Sequence, residues 1–189
     1  NVVSNGNTKI STSTIVDHML KFFGIEPDAL PAKPTMGLIS RRDKRFLLNE
    51  HELVRTAKEQ GFDVLVLPLE KMTLYEQLKA LRQVTLLVGV HGSGLNNALF
   101  MQRNTVILQI LTYNLKYKGA FAQVARENHV TYLEMAHSNA NTSLFHWEFV
   151  GDKELKAAGG TREAYLAKGS PAGPSQETYT FWINQDIVV

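Results

Sequence analysis

Apolar positions along the chain alternate between two spacings. Ile15, Val16, Met19, Leu20, Phe22 and Phe23 recur at helical intervals, and Gly24 follows as a stop. Residues 26–34, with three prolines, read as a linker. Residues 36–40 predict a short strand, and Asn49 with Glu52 three positions on predicts an N-cap for a helix ending at Gly61. Residues 62–67 predict the next strand. Thr73 and Glu76 repeat the capping signature ahead of Leu74, Leu78 and Leu81, and the β-branched and leucine run 84–90 predicts a strand buried on both faces. A short helix over 95–101, a strand over 105–110, a helix over 116–128 with Phe121, Val124 and Ala125 on one face, and a strand over 130–135 complete the alternation.

About five strand–helix alternations imply right-handed crossovers, and hence an α/β fold with a doubly wound, mainly parallel, Rossmann-like sheet covered by helices on both faces. Ligands of such sheets bind at the carboxyl ends of the strands. From 138 to 175 the pattern dissolves into Asn, Gly, Lys, Ala and Pro, which reads as a long surface loop with a helix near 154–167. An apolar-rich segment, 179–189, follows. The chain therefore divides into an N-terminal helix and proline-rich linker (1–34), a nucleotide-binding core (35–137) and a loop with a closing segment (138–189). That closing segment is expected to pack back on the core or on a further domain.

Composition narrows the classes without choosing one. With 189 residues, 44% apolar and 20% charged, the chain fits one domain with a proper core. Twenty Lys+Arg against 18 Asp+Glu give +2, so no overall field draws it to nucleic acid or membrane, and anion binding must be local. Without cysteine there is no disulfide, thiolate nucleophile or cysteine zinc site. No run of 18 apolar residues and no signal peptide is present, and the chain opens on Asn1 rather than methionine, so it is expected to be part of a longer protein.

In a parallel sheet every strand-to-helix loop lies on one edge. Arg41, Arg42, Lys44 and Arg45, just past the first core strand, therefore share an edge with His91, Gly92, Ser93 and Gly94. Glycine admits close approach of a phosphate, the following helix start favours an anion, and guanidinium groups opposite complete a diphosphate site by bidentate pairing. Alone, a basic turn serves solvation and a glycine corner serves packing just as well; their coincidence on one edge makes the site. His91 is open between a structural ring and a ligand contact, its place at the start of the loop favouring contact.

Competing nucleotide motifs fail on particular letters. A dinucleotide fingerprint needs a third glycine, which Asn97 replaces, and an acid near the next strand end, where Gln109 stands. No lysine completes a Walker loop. A hydrolase elbow would place glycines two residues either side of Ser93, where His91 and Leu95 stand, so Ser93 offers its hydroxyl to a ligand oxygen instead of acting as nucleophile. The six histidines are scattered without metal-binding spacing. Asn141-Thr142-Ser143 is the one N-glycosylation sequon, informative only if the chain enters a secretory lumen.

The ordered set Ile39-Ser40-Arg41-Arg42, Arg45-Phe46-Leu47-Leu48-Asn49-Glu50-His51-Glu52-Leu53, Gly61-Phe62, Gln77 and Leu87-Val88-Gly89-Val90-His91-Gly92-Ser93-Gly94-Leu95-Asn96-Asn97 resembles glycosyltransferase family 61. The likeness runs with gaps from about His18 to Asn184-Gln185-Asp186-Ile187-Val188. It implies an inverting GT-B enzyme that moves a xylose, arabinose or N-acetylglucosamine unit from a UDP-sugar to a glycan or protein hydroxyl. No cofactor and no essential metal are implied, and no nucleic-acid partner; a membrane is reached only through a segment outside this chain. The compartment implied is the Golgi or endoplasmic reticulum lumen. This chain would be the C-terminal donor-binding half, able to bind donor but not to turn over alone.

Carried over by position, Arg41 meets the donor diphosphate with Arg45 near it, His91 to Gly94 lie beneath the phosphates, and Asn49 and Gln109 fall at the nucleoside and ribose. The catalytic base is unassigned, with His91 the weak candidate within the chain. Gln109 stands where the family commonly has glutamate, and Met101-Gln102-Arg103-Asn104 lacks the usual proline-glycine turn. Those departures leave open an alternative: a Rossmann-like binding or interaction module without catalysis.

Overall fold

The centre of the computed structural model is a five-stranded, wholly parallel sheet; residues 2–3, 9–10, 12–25, 30–116, 119–169 and 176–189 are described. Two short strands, β1 (Val2–Val3) and β2 (Lys9–Ile10), pair antiparallel ahead of helix α1 (Thr12–Phe22). Then come β3 (Thr35–Ile39), α2 (Glu50–Glu59), β4 (Asp63–Leu67), α3 (Leu74–Leu81), β5 (Leu86–Val90), a 3-10 helix (Ser93–Phe100), β6 (Val106–Leu111), α4 (Ala120–Glu127) and β7 (Thr131–Ala136). The sheet order is β4-β3-β5-β6-β7, so the chain winds one way from β3 to β4 and the other way from β5 onward. That reversal is a topological switch point between β3 and β5, where a crevice opens at the strands' carboxyl ends.

Side-chain alternation explains the two covered faces. Leu67, Leu87 and Ile107 meet Leu81 of α3, Leu95 and Ala98 of the 3-10 helix and Phe121 and Ala125 of α4 on one side. Met36, Leu38, Val88 and Ile110 meet Leu53, Val54 and Ala57 of α2 on the other, together with Leu47 and Ile187. Full burial of each such side chain stabilises by roughly 1.5–3 kcal/mol, and that burial supplies most of the sheet's hold on its helices. The predicted capping box forms: Thr73 Oγ1 accepts from the Glu76 N–H, and Glu76 accepts from the Thr73 N–H at 2.7 Å.

Four expectations shift. Asn49 stands at the N-cap position of α2, but its side chain makes no cap bond and is used elsewhere. The helix expected over 95–101 is a 3-10 helix starting at Ser93. The turn that lacks glycine is made by Asn104 at φ 62, a left-handed conformation asparagine tolerates. Within 138–175 the described residues are structured, and the helix expected near 154–167 is two, α5 (Asp152–Ala157) and α6 (Arg162–Lys168), broken where Gly159 and Gly160 take φ 112 and 80. Residues 26–29 of the linker and 170–175 of the loop lie outside the described residues. Strand β8 (Ser143–Phe145) pairs antiparallel with β9 (Gln185–Ile187), which follows α7 (Gln176–Ile183). Leu111, Leu115, Tyr165, Phe181 and Trp182 bind this closing segment to the core through an aromatic cluster.

Candidate functional site

Three loops converge at the switch point because β4, β3 and β5 are neighbours. The loop after β3 carries the basic residues, and they divide between two tasks. Arg42 pairs with Glu50 of α2 at 3.2 Å and is half exposed. Arg41 and Arg45 turn instead to the loop after β5: an ideal Cβ built on Gly92 would lie 2.7 Å from Nη1 of each. Two guanidinium groups thus rest directly on Gly92, and the glycine clears space for arginines rather than for a ligand alone.

Each arginine is held in its own way. Arg45 is buried, and its Nη1 donates to the His91 carbonyl at 2.8 Å. Its backbone sits at φ 59, a left-handed conformation uncommon for a bulky residue and typical of functional strain. Arg41 donates from Nε to the Lys44 carbonyl at 3.0 Å and pairs with Asp43 at 3.3 Å, all within its own loop. At Asp43 burial works to raise the carboxyl pKa, but the Arg41 charge and backbone N–H bonds outweigh it and hold it lowered.

Beside this pair lies a cleft of about 420 Å³ lined by Ile39, Arg41, Asp43, Leu69, Glu70, Ser93, Gly94 and Asn97. Arg41, Ser93 and Gly94 of the predicted set therefore face one space. Leu69 and Glu70, from the loop after β4, were missed by sequence reasoning, although the rule placing strand-end loops on one edge could have found them. Asn97 was read as part of the following helix; its Nδ2 donates to the Gly94 carbonyl at 3.0 Å and braces the corner.

The two residues expected at the nucleoside are buried beside this cleft's loops and do not line it. Gln109 is fully buried because β6 runs two residues past it, and its Nε2 lies 3.0 Å from His91 Nδ1. Asn49 is buried too: its amide nitrogen donates to the Val189 carbonyl and its Oδ1 accepts the Val189 N–H at 3.0 Å. Neither lines the cleft: the Gln109 amide nitrogen is turned to the histidine, and the Asn49 amide to Val189 and Glu52. The sequon asparagine, Asn141, is exposed in a 3-10 turn away from the site.

His91 is buried, with Gln109 on one side and the Phe121 ring at 5.4 Å on the other. Burial first, and the Arg45 charge second, push its pKa down to about 4. At neutral pH the ring is uncharged, with its Nδ1 held by the Gln109 amide. Because the folded value lies below the ordinary 6.5, the unfolded chain takes up a proton that the fold refuses. The stability this ring contributes is complete above pH 6.5 and drains away as pH falls toward 4, by up to roughly 3 kcal/mol. Denaturant unfolding from pH 7 to pH 4 should therefore show His91→Gln losing less stability than wild type by an amount of that order; parallel curves would refute the assignment.

A doubly wound α/β domain with a polar, arginine-bearing cleft at its switch point is the class that fold and site define. The family comes from comparison: the profile described as Glycosyltransferase 61 matches residues 3–108, which include both arginines and the His91–Gly94 corner. The chain belongs to glycosyltransferase family 61. It is 36% identical over 86 residues to the rice (Oryza sativa subsp. japonica) alpha-1,3-arabinosyltransferase XAT2, covering 43% of this chain and 14% of that protein. It is 34% identical over 118 residues to the rice beta-1,2-xylosyltransferase XAX1, 60% of this chain and 20% of the relative. Against the EGF domain-specific O-linked N-acetylglucosamine transferase of Drosophila melanogaster it is 32% identical over 110 residues, 54% of this chain and 21% of the relative. The chain thus spans about a fifth or less of the length of these relatives.

Proposed function

We propose that this domain binds the diphosphate of a UDP-sugar and that the protein carrying it is an inverting glycosyltransferase of GT-B architecture. The observation supporting this most directly is the pair of guanidinium groups on Gly92 beside the switch-point cleft. Arg41 faces the cleft with Arg45 behind it, and a diphosphate offers paired oxygens to the Arg41 guanidinium in an arrangement that the Arg45 charge reinforces. The relatives' names add sugars of the xylose, arabinose and N-acetylglucosamine type as the group transferred, and a glycan or protein hydroxyl as acceptor.

In this reading the acceptor oxygen attacks the anomeric carbon from the face opposite the diphosphate, the bond to the diphosphate oxygen breaks, and a base takes the hydroxyl proton. Negative charge grows on the leaving group, and Arg41, with Arg45 behind it, stabilises that charge where a divalent cation would otherwise serve. Ser93 and the backbone of Gly92 and Gly94 complete the contact. His91 is a poor base, since burial and Arg45 suppress its proton affinity; its part is to hold the corner and offer its carbonyl to Arg45. The base then belongs to a part of the protein beyond this domain.

The Golgi or endoplasmic reticulum lumen fits the reading and the exposed sequon at Asn141. Among the described residues no helix is long and apolar enough to cross a membrane, so any anchor would lie elsewhere. Calorimetry of the full-length protein with UDP tests the proposal: saturable binding competed by pyrophosphate is expected, and its absence refutes the site. A transfer assay separates an enzyme from a domain that only binds.

A further inference from the structure

Arg45 poses a local problem. Its side chain is the buried partner of the His91 carbonyl, and its backbone occupies a left-handed conformation whose preceding peptide plane is held by Arg41 through the Lys44 carbonyl. The residues that follow it supply the rest of the hold. The Phe46 N–H donates to Asp186 Oδ1 at 2.7 Å, the Phe46 carbonyl accepts from the Ile187 N–H at 2.9 Å, and the Leu48 N–H donates to the Ile187 carbonyl at 2.7 Å. Leu47 bridges Ile187 in parallel register, and the Asn49 amide takes both main-chain groups of Val189. Residues 46–49 are thus laid onto 186–189 as a short ladder, anchored by Ile187 in the core under α2.

Asp186 contributes something the ladder cannot. Its carboxylate is almost fully buried, with His146 Nε2 at 3.1 Å on the second oxygen. The Phe46 N–H that it grips belongs to the same rigid peptide plane as the Arg45 carbonyl. With the preceding plane held through the Lys44 carbonyl, fixing this one restricts ψ of Arg45, and so the direction in which the Arg45 side chain leaves the backbone toward His91 and Gly92.

We infer that Asp186 is a positioning residue for the switch-point cleft, acting on Arg45 through the Phe46 N–H, 140 residues away in sequence. It deepens the donor-binding reading and rests on it only for its functional readout. The device lets a strained loop hold a preorganised arginine without contact between Asp186 and the ligand.

Two measurements on the full-length protein test this. Hydrogen exchange without ligand reads the coupling: Asp186→Ala should speed exchange of the amides in 91–95 about tenfold, the loss of one hydrogen bond to a charged group. Asp186→Asn, which keeps the acceptor oxygen, should not, and Asp186→Ala should add nothing when Arg45→Ala is already present. UDP affinity should follow the same pattern, with about a tenfold loss, rescue by asparagine and non-additivity with Arg45→Ala. Exchange at 91–95 unchanged in Asp186→Ala, or a loss that asparagine does not rescue or that persists in full beside Arg45→Ala, overturns the inference. Coupled exchange in a protein that binds no UDP upholds the inference and refutes the donor-binding proposal instead.

Discussion

Arg41→Ala should weaken UDP binding by one to two orders of magnitude and leave the melting temperature nearly unchanged. The guanidinium lies against Gly92 and lines the cleft, so it is the one of the two arginines with direct access to a ligand. A charge-assisted bond contributes about 1.5–3 kcal/mol, and each 1.4 kcal/mol is tenfold in affinity. Its partners in the free protein are the Lys44 carbonyl and the exposed Asp43 carboxylate, contacts inside one loop that contribute little to stability. Arg45→Ala should differ in kind: it removes a buried guanidinium bonded to the His91 carbonyl, so both affinity and stability should fall. Arg41→Lys should restore only part of the affinity, since an ammonium cannot pair in bidentate fashion. Calorimetry with UDP, paired with thermal unfolding, separates these outcomes; UDP affinity unchanged in Arg41→Ala would remove the diphosphate from this cleft.

How far the sequence carries toward this site depends on the range of the interactions involved. Strand and helix periodicity follow from local burial, so the five core strands and the Thr73 capping box could be read directly. The shared edge of the Arg41 and His91 loops follows from parallel topology, a rule that needs no coordinates. What periodicity cannot express is which amide meets which backbone. Asn49 carries the letters of a helix cap, yet Val189 competes for its side chain and wins, because pairing both amide atoms with main-chain groups satisfies more donors and acceptors than a single cap bond. Gln109 reads as a strand-end residue, whereas β6 runs on through Ile110 to Leu111, one position past the predicted strand. Asp186 could be seen only as part of a motif, since its role lies in a contact to Phe46 across 140 residues.

Gly92→Ala provides the sharpest separation of binding from folding. A methyl group at Gly92 would fall 2.7 Å from Nη1 of both arginines and 3.3 Å from Cζ of Arg45, well inside van der Waals contact. The atoms in the way are the far ends of two side chains, so the fold can yield by moving them at the expense of the buried Arg45 bond to the His91 carbonyl; φ 161 at Gly92 is extended backbone open to alanine. The expected result is a loss of UDP affinity at least as large as in Arg41→Ala, because both guanidinium groups move, with a stability cost near the low end of the 1–3 kcal/mol typical of overpacking. Two neighbouring glycines serve as controls. At Gly89 the same methyl would meet Ile39 Cδ1 at 2.9 Å and Leu95 Cδ2 at 3.2 Å inside the core, so Gly89→Ala should unfold the domain at lower denaturant. At Gly94 it would meet nothing closer than 3.4 Å, so Gly94→Ala should keep stability and most of the affinity. If Gly92→Ala bound UDP as wild type does, the glycine would be a packing feature and the two arginines would not define the ligand's seat. Affinity lost with the fold intact, against the opposite pattern at Gly89, would mean that this corner of the loop is shaped for the arginines and that the arginines hold the ligand.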